Sequence, residues 1–378
     1  MGTRANPAEE VAPAQPRRTG PVRPPNMDDR LPAAVQWVEA NRSRPPVSRP
    51  QYLKVETTNV CNADCAFCLY GRMARPKGTM PMDLYRKVID EYVEAGGGAL
   101  TLSPLVGDCF CDRHFLDRLR YCRTYDEITH VGFHTNLIAL DRYSDDELLE
   151  MLDLIDVFNC SIGPNRDVYH DMFGVDRFER VAANLERLHR VVQQAPYPPL
   201  VQVNGRACAG AFDVDARIER FGSALNGGEV KWKTSYADWG GLLDELPHDT
   251  PVARVAERSR PCLPCKSGLN SAVVFWDGRV GFCGCADSDA LLLIGDVRAE
   301  PLGSILSGAP RRRFIASFLN GALHPYCRRC TFYAPMKPDE IANWIEGTNP
   351  NHPDPVRPGS QRGRTRQAVG THDQGGTP

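Results

Sequence analysis

Glu56-Thr57-Thr58-Asn59-Val60-Cys61-Asn62-Ala63-Asp64-Cys65-Ala66-Phe67-Cys68 sets three cysteines at a C-x3-C-x2-C spacing, directly after the β-prone run Tyr52–Glu56. From Tyr52 onward, strand-like and helix-like runs alternate. The strand-like runs are Tyr52–Glu56, Ala99–Ser103, Ile128–Phe133, Val157–Ile162, Leu200–Val203 and Val230–Lys233. Between the first two, Met82–Ala95 places Leu84, Val88, Ile89 and Val93 on one face. Arg113–Tyr125, Asp145–Leu154, Arg177–Val192 and Val214–Leu225 repeat that period. Strands alternating with helices predict a parallel sheet with the helices outside, by the handedness of the crossover. A span of about 200 residues predicts an α/β fold with a partial (β/α)6 barrel, short of the full eightfold one. Loops that follow strands gather at the C-terminal mouth of such a barrel, and the cysteine segment is one of them.

Three thiolates can hold three irons of a 4Fe-4S cube and leave the fourth iron without a protein ligand. A zinc knuckle, its fourth ligand supplied from afar, and three unrelated buried cysteines are the alternatives. The segment resembles the signature of the radical SAM superfamily, and the resemblance covers about residues 50–335. It implies that S-adenosylmethionine (SAM) chelates the open iron and is cleaved to a 5′-deoxyadenosyl radical, with a one-electron donor such as flavodoxin or ferredoxin as partner. It implies cofactor-binding roles as well. Phe67 fills the slot near the adenine. Gly107-Asp108 is the nearest match to the Gly-Gly-Glu run that binds the SAM amino group, with Asp in place of Glu. His134-Thr135-Asn136 resembles the family's Thr-Asn-Gly turn. Ser161 stands where a polar side chain meets the ribose or carboxylate, and Arg206 where a cation meets the carboxylate or the substrate. Turn and N-cap roles are the alternative for each.

After Pro251 the pattern changes. Ser271–Trp276 and Arg279–Cys283 are β-prone runs joined by Asp277-Gly278, a hairpin signal, and Arg311–Leu319 is helical. The hairpin brings Cys265 and Cys283 towards each other at its base, and Cys327-Arg328-Arg329-Cys330 closes a four-thiolate set. Four thiolates suit a fully ligated auxiliary 4Fe-4S cluster or a structural zinc. The spacing resembles the twitch domain, the shortened form of the SPASM domain. Residues 331–378 contain no cysteine, so one auxiliary cluster is expected. Cys262 and Cys285 lie beside the expected ligands, and their roles stay open. This region is similar to that of the twitch-bearing dehydrogenase type of butirosin biosynthesis, which acts on scyllo-inosamine. The resemblance implies oxidation of a secondary alcohol to a ketone on a sugar or aminocyclitol, as in aminoglycoside-type antibiotic biosynthesis, with the auxiliary cluster taking the second electron. Epimerase, dehydratase, ribosomal-peptide maturase and a scaffold without turnover are the other readings. Asp108, His134, Lys233 and Asp238 are candidate general bases at strand ends. Trp232–Gly241 is a candidate pocket lining. Cys109, Cys111 and Cys208 are candidate hydrogen-atom donors for an epimerase.

Composition bounds the rest. The chain has 378 residues, 42% hydrophobic and 24% charged, with a formal net charge of -2, so no basic field points to nucleic acid. No apolar run approaches the ~20 residues of a membrane span, and the N-terminus lacks a signal-peptide core, so a cytoplasmic location is expected. Fourteen cysteines in a reducing compartment point to metal binding more than to disulfides. The expected organisation is a disordered extension over 1–45 with a short helix at Leu31–Asn41, the barrel over 46–250, the cluster module over 251–340 and a disordered tail over 341–378. A small polyol or aminoglycoside is the expected substrate partner.

Overall fold

The computed structural model describes residues 50–254, 264–319 and 321–336; the helix expected over 31–41, both chain ends and Cys262 lie outside them. Strands β1 (Tyr52–Val55), β2 (Ala99–Thr101), β3 (His130–Thr135), β4 (Val157–Ile162), β5 (Leu200–Arg206) and β6 (Trp232–Lys233) pair in chain order, every pair parallel. Helices α1 (Met82–Glu94), α2 (Phe115–Cys122), α3 (Asp145–Asp153), α4 (Arg166–Phe173), α5 (Phe178–Val192) and α6 (Ala216–Asn226) fill the crossovers. This is the parallel α/β sheet of a partial barrel, as the alternation predicts. Among the described residues no helix is long and apolar enough to cross a membrane.

The two faces of the sheet differ in chemistry. Leu53, Val55, Leu100, Val131, Phe133, Phe158, Ile162, Val201 and Val203 are buried in the core that the strands share with the helices. The alternate positions are mostly polar: Lys54, Thr101, His134, Asn159, Ser161, Gln202, Asn204 and Arg206. Register stacks them across strands, with Lys54 beside Thr101, His134 beside Asn159, Ser161 beside Asn204 and Arg206 beside Lys233. Parallel strands covered on both faces are normally apolar throughout. An inward face of amides, hydroxyls and cations is therefore a surface made for a polar guest.

The C-terminal part is the expected small module of hairpin and helices, and its first strand also joins the barrel sheet. After α7 (Lys266–Asn270), β9 (Ser271–Val274) pairs parallel with β1, from Tyr52–Ser271 to Val55–Val274. Strands β10 (Arg279–Gly281) and β11 (Leu293–Asp296) follow antiparallel, giving one nine-stranded sheet, β11-β10-β9-β1-β2-β3-β4-β5-β6. The reason is the exposed edge of β1, whose free N–H and C=O groups need a partner. The expected turn holds: Gly278 takes φ 92°, which a side chain disfavours. Helices α8 (Leu302–Ser307), α9 (Ala309–Leu319) and α10 (Pro325–Arg329) complete this part, and β7 (Tyr236–Ala237) pairs with β8 (Val252–Ala253) beyond β6.

Candidate active site

The loop after β1 is held on both flanks before any cofactor is considered. Asn59 accepts from Gly78 N at 2.7 Å and donates to Pro76 O at 2.9 Å, while Met80 N donates to Thr57 O at 2.8 Å. On the other side, Asp64 N and Ala66 N donate to Phe173 O and Met172 O at the end of α4, at 3.1 and 2.9 Å. Cys61, Cys65 and Cys68 are thereby fixed on one short loop. Cys61 and Cys68 both act electrostatically on Cys65, and Cys68 acts on Cys61. Burial pushes all three thiols above the usual range, Cys61 and Cys65 well above it, and Asp108 and the neighbouring thiols push those two further. Without a cation they are protonated at neutral pH, and metal uptake must displace those protons.

The turn after β2 packs under this loop. Gly107 has φ 131°, and a Cβ there would come 2.9 Å from the Asn59 backbone. Asp108 N donates to Val60 O at 2.9 Å. The Asp108 carboxylate is buried and accepts from Phe110 N at 2.9 Å, Asn136 N at 2.6 Å and Thr135 Oγ1 at 3.1 Å. It thus ties the turn after β2 to the Thr135–Asn136 turn after β3. Asn136 Nδ2 in turn donates to Asn62 Oδ1 at 2.8 Å and stands 3.8 Å from Cys61 Sγ. The His134-Thr135-Asn136 run therefore belongs to the site, although its role here is to orient the cysteine loop.

Phe67 lies across the mouth. Its ring stacks on Tyr236 at 4.9 Å and meets Phe173 edge-on at 5.5 Å. Its carbonyl accepts from Trp239 Nε1 at 3.0 Å, and the Arg206 guanidinium lies 5.9 Å from its ring. Ser161 is half-buried at the end of β4. The structure so brings Phe67, Asp108 and Arg206 around the three thiols. Asp238 falls elsewhere: it is buried, accepting from Gly240 N and Thr331 Oγ1, both at 2.9 Å. Both oxygens of Asp108 are engaged by the surrounding turns, while the two bonds of Asp238 fall on Oδ1 alone. His134 keeps an exposed imidazole on the inward face, with Nδ1 3.2 Å from Ser103 Oγ. Its crowded surroundings, with Lys54 and Arg206 nearby, push its pKa down to about 4, so it is neutral at pH 7.

The scattered thiols mostly belong to packing. Cys109 is buried and donates to His134 O at 3.3 Å; Cys122, Cys160 and Cys208 are also buried. Cys111 differs: it is half-buried close to Cys61 and Asp108, its thiol pushed up to about 12 by burial and then by the Asp108 charge.

A second thiol-rich neighbourhood lies beside β1. Cys283 senses Cys285 and Cys265, and Tyr326 senses Cys330, Cys283 and Cys285. The chain after Cys330 returns to Cys265, with Lys266 N donating to Ala334 O at 2.7 Å and Met336 N to Pro264 O at 2.8 Å. Cys327 and Cys330 sit at the two sides of the last turn of α10. Cys285, which spacing alone left open, is in this group and faces Lys54. Tyr52 and Lys54 project from β1 towards this second thiol group, a position that reading Tyr52–Glu56 simply as a strand overlooked.

The radical SAM superfamily profile matches residues 55–194, and an iron–sulfur cluster-binding domain of the SPASM family matches residues 265–331. The chain carries a radical SAM domain followed by a SPASM-type cluster-binding domain. Its cofactors are 4Fe-4S clusters and S-adenosylmethionine. Similar solved structures include Streptococcus suis SuiB bound to precursor peptide SuiA, 12% identical, covering 81% of this chain and 76% of that one at TM-score 0.52. SuiB bound to S-adenosylmethionine is 13% identical, covering 76% and 73% at TM-score 0.51. BtrN in complex with AdoMet and 2-DOIA is 16% identical, covering 74% and 92% at TM-score 0.47. At these identities the likeness speaks to the fold alone. No curated protein matches the chain.

The residues present fit these cofactors. Among the described residues no three His, Cys, Asp or Glu side chains stand close enough to hold a single metal ion, so the fit rests on donor type and on unmet polar groups. Soft thiols are what an iron–sulfur cluster needs. The Tyr169 hydroxyl, beside Cys65 and Cys61, and Arg206 Nε, beside Cys65, are buried without a hydrogen-bond partner among the described residues. Buried polar atoms of this kind normally have partners, and a polar cofactor in the mouth would supply them.

Proposed function

We propose that this radical SAM protein oxidises a secondary alcohol to a ketone on a small sugar- or cyclitol-type molecule bound against the inward face of the sheet. Cys61, Cys65 and Cys68 would hold the SAM-binding cluster, with Phe67, Gly107, Asp108, Ser161 and Arg206 around the SAM. Cys265, Cys283, Cys327 and Cys330 would hold a single auxiliary cluster. Bound there, these groups supply a carbon-centred hydrogen-atom abstractor and, on the second side, an acceptor for the electron that remains.

The observation that carries this reading is the parallel pairing of β9 with β1. It puts the second thiol group on the sheet that carries the first, with the polar inward face beside both. An electron acceptor in that position favours net oxidation over hydrogen return. The chain's own part is to bind and orient. Asn159, Ser161, Gln202 and Asn204 offer hydroxyl-matching donors and acceptors along β4 and β5. Neutral His134, its Nδ1 beside Ser103 Oγ, stands in register with Asn159 on the same face, where its imidazole can exchange a hydrogen bond with a substrate hydroxyl.

The test is anaerobic incubation of the reconstituted protein with reductant, SAM and a panel of polyols. One 5′-deoxyadenosine per product, and a product lighter by two hydrogens, is the expected result. Unchanged product mass would favour epimerisation, and loss of water a dehydratase.

A further inference from the structure

Tyr169 lies on the buried side of α4, and its side chain is shut off from water, at 0% exposure. Its ring is fixed on three sides. It stacks on Phe173 at 4.4 Å and meets Phe178 at 6.0 Å. It also lies against Gly163, where a Cβ would come 2.9 Å from Tyr169 Cβ. Phe173 is itself bound into the site: its carbonyl holds Asp64 N at 3.1 Å, and its ring meets Phe67 edge-on. The Tyr169 hydroxyl thus ends near Cys65, Asp108 and Cys61, the groups that act on it most strongly. None of them bonds it. Its oxygen is buried without a hydrogen-bond partner among the described residues. The Asp108 oxygens are taken by Phe110 N, Thr135 Oγ1 and Asn136 N.

A phenol is protonated at neutral pH and can donate. A donor left unmet in a dry interior is costly, and a side chain locked in such a place normally has an acceptor. The ring is held rigidly and the neighbouring thiols do not accept, so the acceptor belongs to what those thiols hold. We propose that the Tyr169 hydroxyl donates a hydrogen bond to a sulfide of the cluster assigned to Cys61, Cys65 and Cys68, and so raises that cluster's reduction potential. The sign follows from charge. Uptake of one electron makes the sulfides stronger acceptors, and a fixed donor therefore favours the reduced form. This rests on the ligand assignment made above and is independent of the substrate. The competing assignment is that Tyr169 only packs α4 against the cysteine loop.

The experiment is a redox titration of the anaerobic, reconstituted holoenzyme without SAM, followed by the paramagnetic resonance of both clusters. Tyr169→Phe keeps the stacked ring and deletes the donor. The reduction equilibrium of its first cluster is expected to fall about tenfold, a shift of about 59 mV to the negative for one electron. Iron content and the auxiliary cluster's potential should stay as in the parent. In deuterated buffer the variant should also lack one exchangeable-proton coupling that the reduced parent cluster shows. A ring-fluorinated tyrosine at position 169 is a more acidic donor of nearly the same size. It should move the potential the opposite way, and it serves the test even where Tyr169→Phe holds too little iron. An unchanged potential in either variant at full iron content overturns the proposal. So does an equal shift of both clusters, or a shift seen only after SAM is added, which would put the hydroxyl on SAM. Cys65→Ala separates the two assignments. If it abolishes the first signal while Tyr169→Phe leaves the potential unchanged, the ligands stand and the role of Tyr169 falls. If the first signal survives in Cys65→Ala, both fall.

Discussion

Two buried residues far apart in sequence show how single side chains hold the two halves of the site together. Glu56 directly follows the first strand, and Arg75 follows the cysteine loop. Arg75 grips the Glu56 carboxylate, donates through Nε to Ser288 O at 2.5 Å and stacks 4.4 Å above the Phe275 ring. Burial raises the Glu56 pKa, with the Arg75 pair pulling it back. Removing one partner of a buried ion pair strands the other, at a cost of about 3–5 kcal/mol. Arg75→Met is therefore expected to lower stability by about that amount in denaturant unfolding and to loosen iron at both thiol groups. An unchanged midpoint would mean that the pair is not buried in solution. His134 gives a pH signature. Its folded pKa lies below its unfolded value of about 6.5, so the unfolded chain binds more protons between about pH 4 and 6.5. Its contribution to stability is complete above that window and declines as pH falls through it. His134→Gln is expected to flatten the loss of stability from pH 6.5 to 4, read as unfolding midpoint against pH.

At the scale of elements, α4 is the part of the site frame that periodicity passed over. It has eight residues, too few for a strong helical period, yet both of its punctuation marks stand in the sequence. Asn165 caps it, its side chain accepting from Val168 N at 2.9 Å, and Gly174 ends it at φ 70°. Gly174 does more than end a helix. A Cβ there would lie 2.2 Å from Asp64 O, inside the cysteine loop. Gly174→Ala adds left-handed strain of about 1 kcal/mol or more to a backbone collision. It is expected to reduce iron bound at the first thiol group more than at the second, measured by iron content and visible absorbance after reconstitution. Equal loss at both would assign the glycine to general folding. Lys54 was legible in principle: a charged residue in the middle of a buried parallel strand, Tyr52-Leu53-Lys54-Val55, breaks the apolar run such strands normally show.

Across the whole molecule, the alternation of strands and helices and the C-x3-C-x2-C loop were readable because each depends on near neighbours in sequence. The parallel partnership of β1 with β9 was not, since it joins residues more than two hundred positions apart and no local pattern encodes it. β11 was missed for a related reason: Leu293-Ile294-Gly295-Asp296 is short and half-exposed, and it pairs across an irregularity between Val280 and Gly281. The crowding of Cys285 into the second thiol group is also a consequence of folding, because the turn after β10 aims it. Two separate cluster sites in one sheet make a stoichiometric prediction. The parent should hold about eight irons per chain, and a variant with Cys265, Cys283, Cys327 and Cys330 all changed to Ala about four.

That variant also allows the most direct test of the account. Reduced anaerobically, it should retain one cluster, and the paramagnetic resonance signal of that cluster should shift when S-adenosylmethionine is added, because one iron has no ligand from the protein. A signal indifferent to S-adenosylmethionine, or evidence for a fourth side chain such as Cys111 on that iron, would contradict it.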